Sequence, residues 1–73
     1  MIKLNTNLLK AQMLLRNKKI SDVAQELNIS KSALYRKLNG KSDFTRREIY
    51  ELMNFLQIEP TEAMSIFFNE KVS

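Results

Sequence analysis

The strongest structural pattern in this chain lies in residues 20–40, ISDVAQELNISKSALYRKLNG, which predict two short helices joined by a tight turn. The first helix covers about residues 20–27, where apolar side chains recur at the spacing of an amphipathic helix. These side chains are Val23, Ala24 and Leu27. Asn28 follows them, and asparagine is one of the few non-glycine residues that tolerates the positive φ at which a helix can stop and turn.

The second helix covers about residues 31–39. Ser30 suits its N-cap, because a serine hydroxyl accepts a hydrogen bond from an otherwise unpaired backbone N–H. Leu34 and Leu38 lie four residues apart on one face, and Gly40 supplies a left-handed exit. The other faces carry Lys31, Ser32, Tyr35 and Arg36. A helix with one apolar face and a short basic stretch on its opposite face can pack on a core and enter a DNA groove.

This stretch resembles a helix-turn-helix, and in particular the Xre family, which includes the phage repressor and Cro proteins. The resemblance rests on Ala24, Asn28, Ile29, Leu34 and the exit Asn39-Gly40-Lys41. Two positions depart from the family pattern. The turn residue is usually glycine and here is Asn28, and the first helix often begins with glutamine but here begins with Ile20, which cannot hydrogen-bond a phosphate.

The resemblance implies an all-α fold, a compact five-helix bundle of the lambda-repressor-like type, formed by residues 1–73 as a single domain. In many members of the family a buried Arg–Glu pair links helix 1 to the recognition helix, which is the second helix of the motif. Alignment on the motif places Met13 and Leu38 at those two positions. We therefore expect an apolar contact there, which avoids the desolvation cost of a buried ion pair.

Capping signals and periodicity predict the three remaining helices. Helix 1 begins near Asn5 to Asn7 and runs to about Arg16, with Leu9 and Met13 on its core stripe. Its apolar surface is expected to be widened by Leu8, Leu14 and Leu15. Arg16, Lys18 and Lys19 lie at its C-terminal end, where cations complement the helix dipole.

Helix 4 starts after Thr45, which forms a capping box with Glu48, and Phe44 and Ile49 form the hydrophobic staple around it. Pro60 fits the first position of helix 5, because its missing N–H would be unpaired there anyway. Helix 5 is predicted over residues 61–68. The tail, residues 69–73, is predicted to be extended or disordered.

Composition limits the chemistry open to the chain. Cysteine and histidine are absent, so a zinc site or a conventional nucleophile–base pair has almost nothing to be made from. We expect no metal, no cofactor, no small-molecule ligand and no enzymatic activity. No apolar run approaches the ~20 residues of a membrane span, and no signal peptide is visible. The sequence therefore predicts a cytoplasmic protein without a membrane partner.

Charge is distributed unevenly along the chain. Residues 1–47 hold eleven Lys and Arg against three acidic residues, a net charge of +8, whereas residues 48–73 hold one Lys against five Glu, a net charge of −4. No acidic residue occurs in residues 27–42. This asymmetry steers a polyanion to the motif, although basic residues also serve simply to keep a small domain in solution.

The resemblance assigns DNA contacts residue by residue. The base-contacting positions are Lys31, Ser32 and Arg36. Arg36 is the best single candidate, because its planar fork can pair with both acceptors of a guanine, whereas Lys31 suits either a guanine or a phosphate. The phosphate contacts, including the backbone amides at the helix exit, are Lys19, Tyr35, Asn39, Gly40, Lys41, Arg46 and Arg47. For Tyr35 two roles stay open, a phosphate contact through the hydroxyl or packing of the ring beside helix 4.

The C-terminal end carries more apolar surface than one short helix usually needs to dock. Some of these residues are expected to cap the core, and others to pair with a second copy across a two-fold axis. The residues predicted for this dimer interface are Met64, Phe67, Phe68 and Val72. Relatives bind pseudo-palindromic operators as dimers, with half-sites about one helical turn apart.

The sequence therefore predicts a sequence-specific regulator of double-stranded DNA, most simply a repressor or Cro-like protein of a phage, prophage or mobile element that occupies an operator. The alternative is a protein-interaction module on the same scaffold, such as an anti-repressor or an antitoxin-like subunit, since fold does not fix function. Salt dependence separates the two, because phosphate binding weakens steeply as salt rises.

Overall fold

A computed structural model describes residues 4–68, which form five helices packed around one core. The helices are α1 (Thr6–Leu15), α2 (Ile20–Leu27), α3 (Lys31–Leu38), α4 (Arg46–Phe55) and α5 (Pro60–Ala63). A π-helical turn, Met64–Phe68, continues α5. No strand occurs among the described residues, and the predicted all-α five-helix fold is confirmed. The tail predicted to be extended or disordered lies outside the described residues.

Local capping signals define where the helices begin. The side chains of Asn5, Ser30 and Thr45 accept hydrogen bonds from the first turns of α1, α3 and α4. The predicted capping box is present, with Thr45 N–H donating to the Glu48 carboxylate at 2.8 Å and Glu48 N–H donating to Thr45 Oγ1 at 3.1 Å. Pro60 occupies the first turn of α5 as predicted. The starts of α1, α3 and α4 therefore follow from hydrogen bonds between residues that are close in the sequence.

Each connection between helices passes through one residue with positive φ. Asn17 does so after α1, Asn28 after α2, Gly40 after α3 and Gln57 after α4. The two predicted by sequence, Asn28 and Gly40, are confirmed. A left-handed residue lets the chain leave the helix axis while its N–H groups still bond to the last helical carbonyls.

The core draws on every helix. Its buried apolar side chains are Leu9, Met13, Val23, Ala24, Leu27, Leu34, Leu38, Leu52, Leu56, Ile58, Ala63, Ile66 and Phe67. Met13 and Leu38, which stand where many relatives have an ion pair, both belong to this apolar cluster. Small Ala24 is buried between α2 and α3, in keeping with close approach of the two helices.

The leucines that were expected to widen the apolar surface of α1 do so on the side that faces away from the core. Leu14 is 82% exposed, Leu15 69% and Leu8 41%. The reason is geometric. Leu9 and Met13 fix the inward face, and at 100° per residue in an α-helix these leucines must then lie on the opposite side. Arg16 differs from its prediction, because its guanidinium donates to Leu56 O at 2.8 Å and to Gln57 O at 3.3 Å and so caps α4 instead of α1.

The end of the chain is wound differently from the predicted continuous α-helix. After Ala63 the backbone widens into the π-helical turn, which directs Ile66 and Phe67 into the core. The Phe67 ring meets Phe44 edge to face, with centroids 6.0 Å apart, a favourable aromatic arrangement. Among the described residues, no helix has the length and apolar character to cross a membrane.

Candidate nucleic-acid interface

The helix-turn-helix is closed by backbone bonds around Asn28. This residue adopts φ 57° and ψ 44°, while its N–H donates to Gln25 O at 3.1 Å and Ile29 N–H donates to Ala24 O at 3.0 Å. Ser30 Oγ then accepts from Ala33 N–H at 3.0 Å, which starts α3. The turn therefore fixes the direction of α3 relative to α2 without a glycine.

Helix α3 rests on the core by one face and presents the other to solvent. Leu34 and Leu38 are fully buried. The exposed side chains are Lys31, Ser32, Tyr35 and Arg36. Ser32 and Arg36 lie one turn apart on the side of α3 opposite Leu34 and Leu38, whereas Lys31 is exposed at the start of the helix. A groove-binding helix needs such an outward side. Tyr35 is half exposed.

The exit of α3 uses the two backbone amides that were predicted to bind phosphate. Gly40, at φ 78°, donates its N–H to Lys37 O at 3.2 Å, and Lys41 donates its N–H to Arg36 O at 2.9 Å. This bonding is typical of a Schellman helix end. The expectation of free amides at this exit was therefore wrong, and what Lys41 offers to a phosphate is its exposed side chain. Asn39 is exposed as well.

The start of α4 adds two exposed arginines to the same edge. Arg46 is exposed, and Arg47 Nε lies 3.1 Å from Glu51 Oε1 in a solvent-exposed pair one turn along the helix. Exposed pairs of this kind contribute little stability, so Arg47 remains able to exchange its partner for a phosphate. At the other end of the surface, Lys19 is exposed, and its N–H donates to the Asp22 carboxylate at 2.8 Å, which caps α2.

Lys37 is the basic residue of α3 that does not face outward. Its ammonium lies 3.1 Å from Glu48 Oε1, donates to Asp43 O at 2.9 Å and sits over the Phe44 ring. The sequence does not predict this contact, because α3 and α4 are separated by a loop whose path no periodicity predicts. Lys37 thus connects the recognition helix to the loop and to α4.

Glu48 is the one buried charged residue among those described. Burial alone raises the pKa of its carboxyl group, but the hydrogen bond from Thr45 N–H, together with Lys37, outweighs this effect and places the pKa below its ordinary value of 4.5. The carboxylate therefore stays charged at neutral pH. Lys37 compensates its negative charge, which would otherwise oppose a phosphate at the start of α4.

The residues predicted for a dimer interface are not all on the surface. Met64 is exposed and Phe68 half-buried, whereas Phe67 is only 2% exposed. Phe67 serves the core of its own chain, so its assignment to an interface is corrected here. Val72 lies outside the described residues.

The geometry defines a class of protein, a helix-turn-helix with a basic outward face on its second helix. A family model described as the Cro/C1-type helix-turn-helix DNA-binding domain matches residues 8–69. The chain belongs to this family. No match was found among curated proteins or among solved structures.

Proposed function

We propose that this chain is a sequence-specific regulator of transcription that inserts α3 into the major groove of double-stranded DNA. The observation that carries the proposal is the division of α3 into two sides. Leu34 and Leu38 fix the helix on the core, while its exposed residues include the cations Lys31 and Arg36 and no acid. A helix held rigidly by one side can present the other to base edges in a fixed register.

The proposed base contacts are the exposed side chains of Lys31, Ser32 and Arg36. Arg36 would form two parallel hydrogen bonds to a guanine, a contact that contributes about 1–3 kcal/mol of discrimination. Lys31, at the helix start, would reach a base or a phosphate. Ser32 is too short to specify a base strongly.

The proposed phosphate contacts surround that helix. They are the exposed side chains of Lys19, Tyr35, Asn39, Lys41, Arg46 and Arg47. The backbone near Gly40 would pass close to one DNA strand. Each neutralised phosphate releases counterions from DNA and makes binding more dependent on salt. These contacts fix the position of the domain, and the base contacts select the sequence.

The mechanism we propose is occupancy. A domain bound to an operator that overlaps a promoter excludes RNA polymerase sterically, and no catalytic step is involved. Two copies on a pseudo-palindromic site would double the contacts of a module that is weak alone. The small size of the domain and the Cro/C1-type family support an origin in a phage, prophage or mobile element. Such a regulator works in the cytoplasm, where the DNA is.

The test is a selection from randomised DNA duplexes with the wild type, Arg36→Ala and Arg36→Lys, followed by a salt titration on the best site. Arg36→Lys is the matched variant, because it keeps the positive charge and removes the planar guanidinium group, which can donate two parallel hydrogen bonds. We expect the wild type to recover an inverted repeat. Both variants should lose preference at the same position of each half-site, and Arg36→Ala should also bind more weakly at every sequence.

Two outcomes would contradict the proposal. Salt-sensitive binding without any recovered motif would mean that the basic face is generic. No binding even at low salt would remove the regulator hypothesis and favour the alternative of a module that binds another protein, such as an anti-repressor or an antitoxin-like subunit.

A further inference from the structure

Helix α1 is apolar on two opposite sides. Leu9 and Met13 fill the core, while the outward side carries the three exposed leucines described above, together with exposed Ala11 and, in the first turn, exposed Asn7. Within Thr6–Leu15 the single charged residue is Lys10. A helix that is apolar all round is normally buried all round, and a contiguous exposed apolar patch marks an interaction site. We call Leu8, Ala11, Leu14 and Leu15 the outer row.

The two edges of the outer row carry opposite charge. At 100° per residue, Lys10 lies along one edge and Gln12 along the other. Gln12 Nε2 donates to Glu62 Oε2 at 3.0 Å, which holds the Glu62 carboxylate beside the second edge. The outer row is therefore an apolar strip with a cation on one side and a carboxylate on the other. The two charges lie at nearly the same position along the helix axis.

This arrangement is complementary to itself. A two-fold interface uses the same patch on both copies. If the two-fold axis runs parallel to α1, each Lys10 edge faces the Glu62 edge of the other copy, so both edges form opposite-charge contacts. An axis perpendicular to the helix would bring Lys10 against Lys10 and Glu62 against Glu62, which is unfavourable. Small Ala11 in the middle of the row lets two helices approach closely.

We propose that the outer row of α1 is the surface on which a second copy of this chain docks, with the two α1 helices parallel. This deepens the proposed function by naming the dimer surface. The C-terminal end is the weaker candidate, because one of its two phenylalanines, Phe67, is already in the core. A second copy supplies the complementary charges by symmetry.

The interface is small, since one ten-residue helix supplies most of it. Interfaces below the standard size bind weakly, so we expect a dissociation constant of about micromolar or weaker. Sedimentation velocity of the full chain over a range of concentrations, without DNA, measures this self-association directly.

The test compares the wild type with the double variant Leu14→Gln, Leu15→Gln. Both side chains are exposed in a single copy, and glutamine is a good helix former, so the variant keeps its fold, which circular dichroism verifies. We expect the variant to weaken self-association at least about tenfold, since most of the buried apolar area is lost. The matched control is Met64→Gln, which changes an exposed apolar residue of the π-helical turn and should leave self-association unchanged.

A charge exchange tests the parallel orientation. Lys10→Glu and Glu62→Lys alone should each weaken self-association about threefold to tenfold, because two exposed pairs per dimer become repulsive. The two changes together should restore it. A wild type that stays monomeric, a dimer that survives in the leucine variant, or a dimer lost in Met64→Gln would overturn the proposal. None of these outcomes affects the Arg36 selection, so failure of this interface is distinguishable from failure of the proposed function.

Discussion

Lys37 Nζ and Glu48 Oε1 lie 3.1 Å apart, and this largely buried ion pair joins the recognition helix to the first turn of α4. The same ammonium donates to Asp43 O in the loop between the two helices. One side chain therefore fixes the position of α3 relative to the arginines at the start of α4. The pair contributes both to the stability of the domain and to the spacing of its proposed DNA contacts.

Replacing Glu48 by Gln should destabilise the protein by about 1–3 kcal/mol, because a hydrogen-bonded charge is lost and Lys37 keeps a buried ammonium without its counter-charge. The pKa of Glu48 lies below its ordinary value of 4.5, so the stabilisation it provides is fully present above about that pH. It is lost as pH falls through the folded-state pKa. Urea unfolding of the wild type and the variant between pH 3 and 7 measures the difference.

We expect the difference between the two unfolding free energies to shrink toward the acidic end of that range. The matched control is Glu51→Gln, which removes an exposed partner of Arg47 and should change stability little at any pH. A constant difference between wild type and Glu48→Gln across the whole range would contradict a role for the ionised carboxylate.

Replacing Arg16 by Met should cost about 1–2 kcal/mol of stability, because the guanidinium satisfies two carbonyls at the C-terminal end of α4, Leu56 O and Gln57 O. Chemical denaturation measures this cost. The salt dependence of DNA binding should not change, since Arg16 is engaged away from the outward side of α3. A reduced salt slope with unchanged stability would place Arg16 at the DNA instead.

Replacing Lys41 by Met should reduce the slope of log affinity against log salt by about 0.9, the value for one lost phosphate contact. Fluorescence anisotropy on a fixed duplex at several salt concentrations gives this slope. The control is Lys18→Met, which removes the same charge from a side chain that lies over the Phe55 ring. Equal loss of slope in both variants would mean that only net charge matters.

Replacing Asn28 by Ala should destabilise the protein by about 1 kcal/mol, because φ 57° is costly for a residue with a Cβ and no local polar group. Asn28→Gly should be close to neutral, since relief of strain offsets the greater freedom of the unfolded chain. Thermal and urea unfolding report both. Asn54→Ala, within α4, is the control and should not destabilise, because alanine is the better helix former there.

The parts of the fold that could be predicted are those encoded within a few neighbouring residues. The Thr45–Glu48 capping box, the Ser30 N-cap, the left-handed Asn28 and the position of Pro60 are each determined by the chemistry of one helix end. The outward face of α3 followed from the same local logic, since Leu34 and Leu38 fix which side is buried.

The parts that could not be predicted depend on contacts across the fold. The Lys37–Glu48 pair and the Arg16 cap join residues on different helices, and their formation depends on loop paths. The π-helical turn belongs to this group, because its Phe67 packs against Phe44, which is distant in the chain.

The hydrogen bond from Asn5 N–H to Ile66 O, 2.6 Å long, has a consequence for how the protein is made. A ribosome releases α1 before the other helices, yet the core that contains Leu9 and Met13 of α1 also includes Ile66 and Phe67, which follow all five α-helices in the chain. The native core therefore cannot close until the π-helical turn has emerged. Until that moment both leucine stripes of the nascent α1 stay open to water and to whatever chaperone meets them.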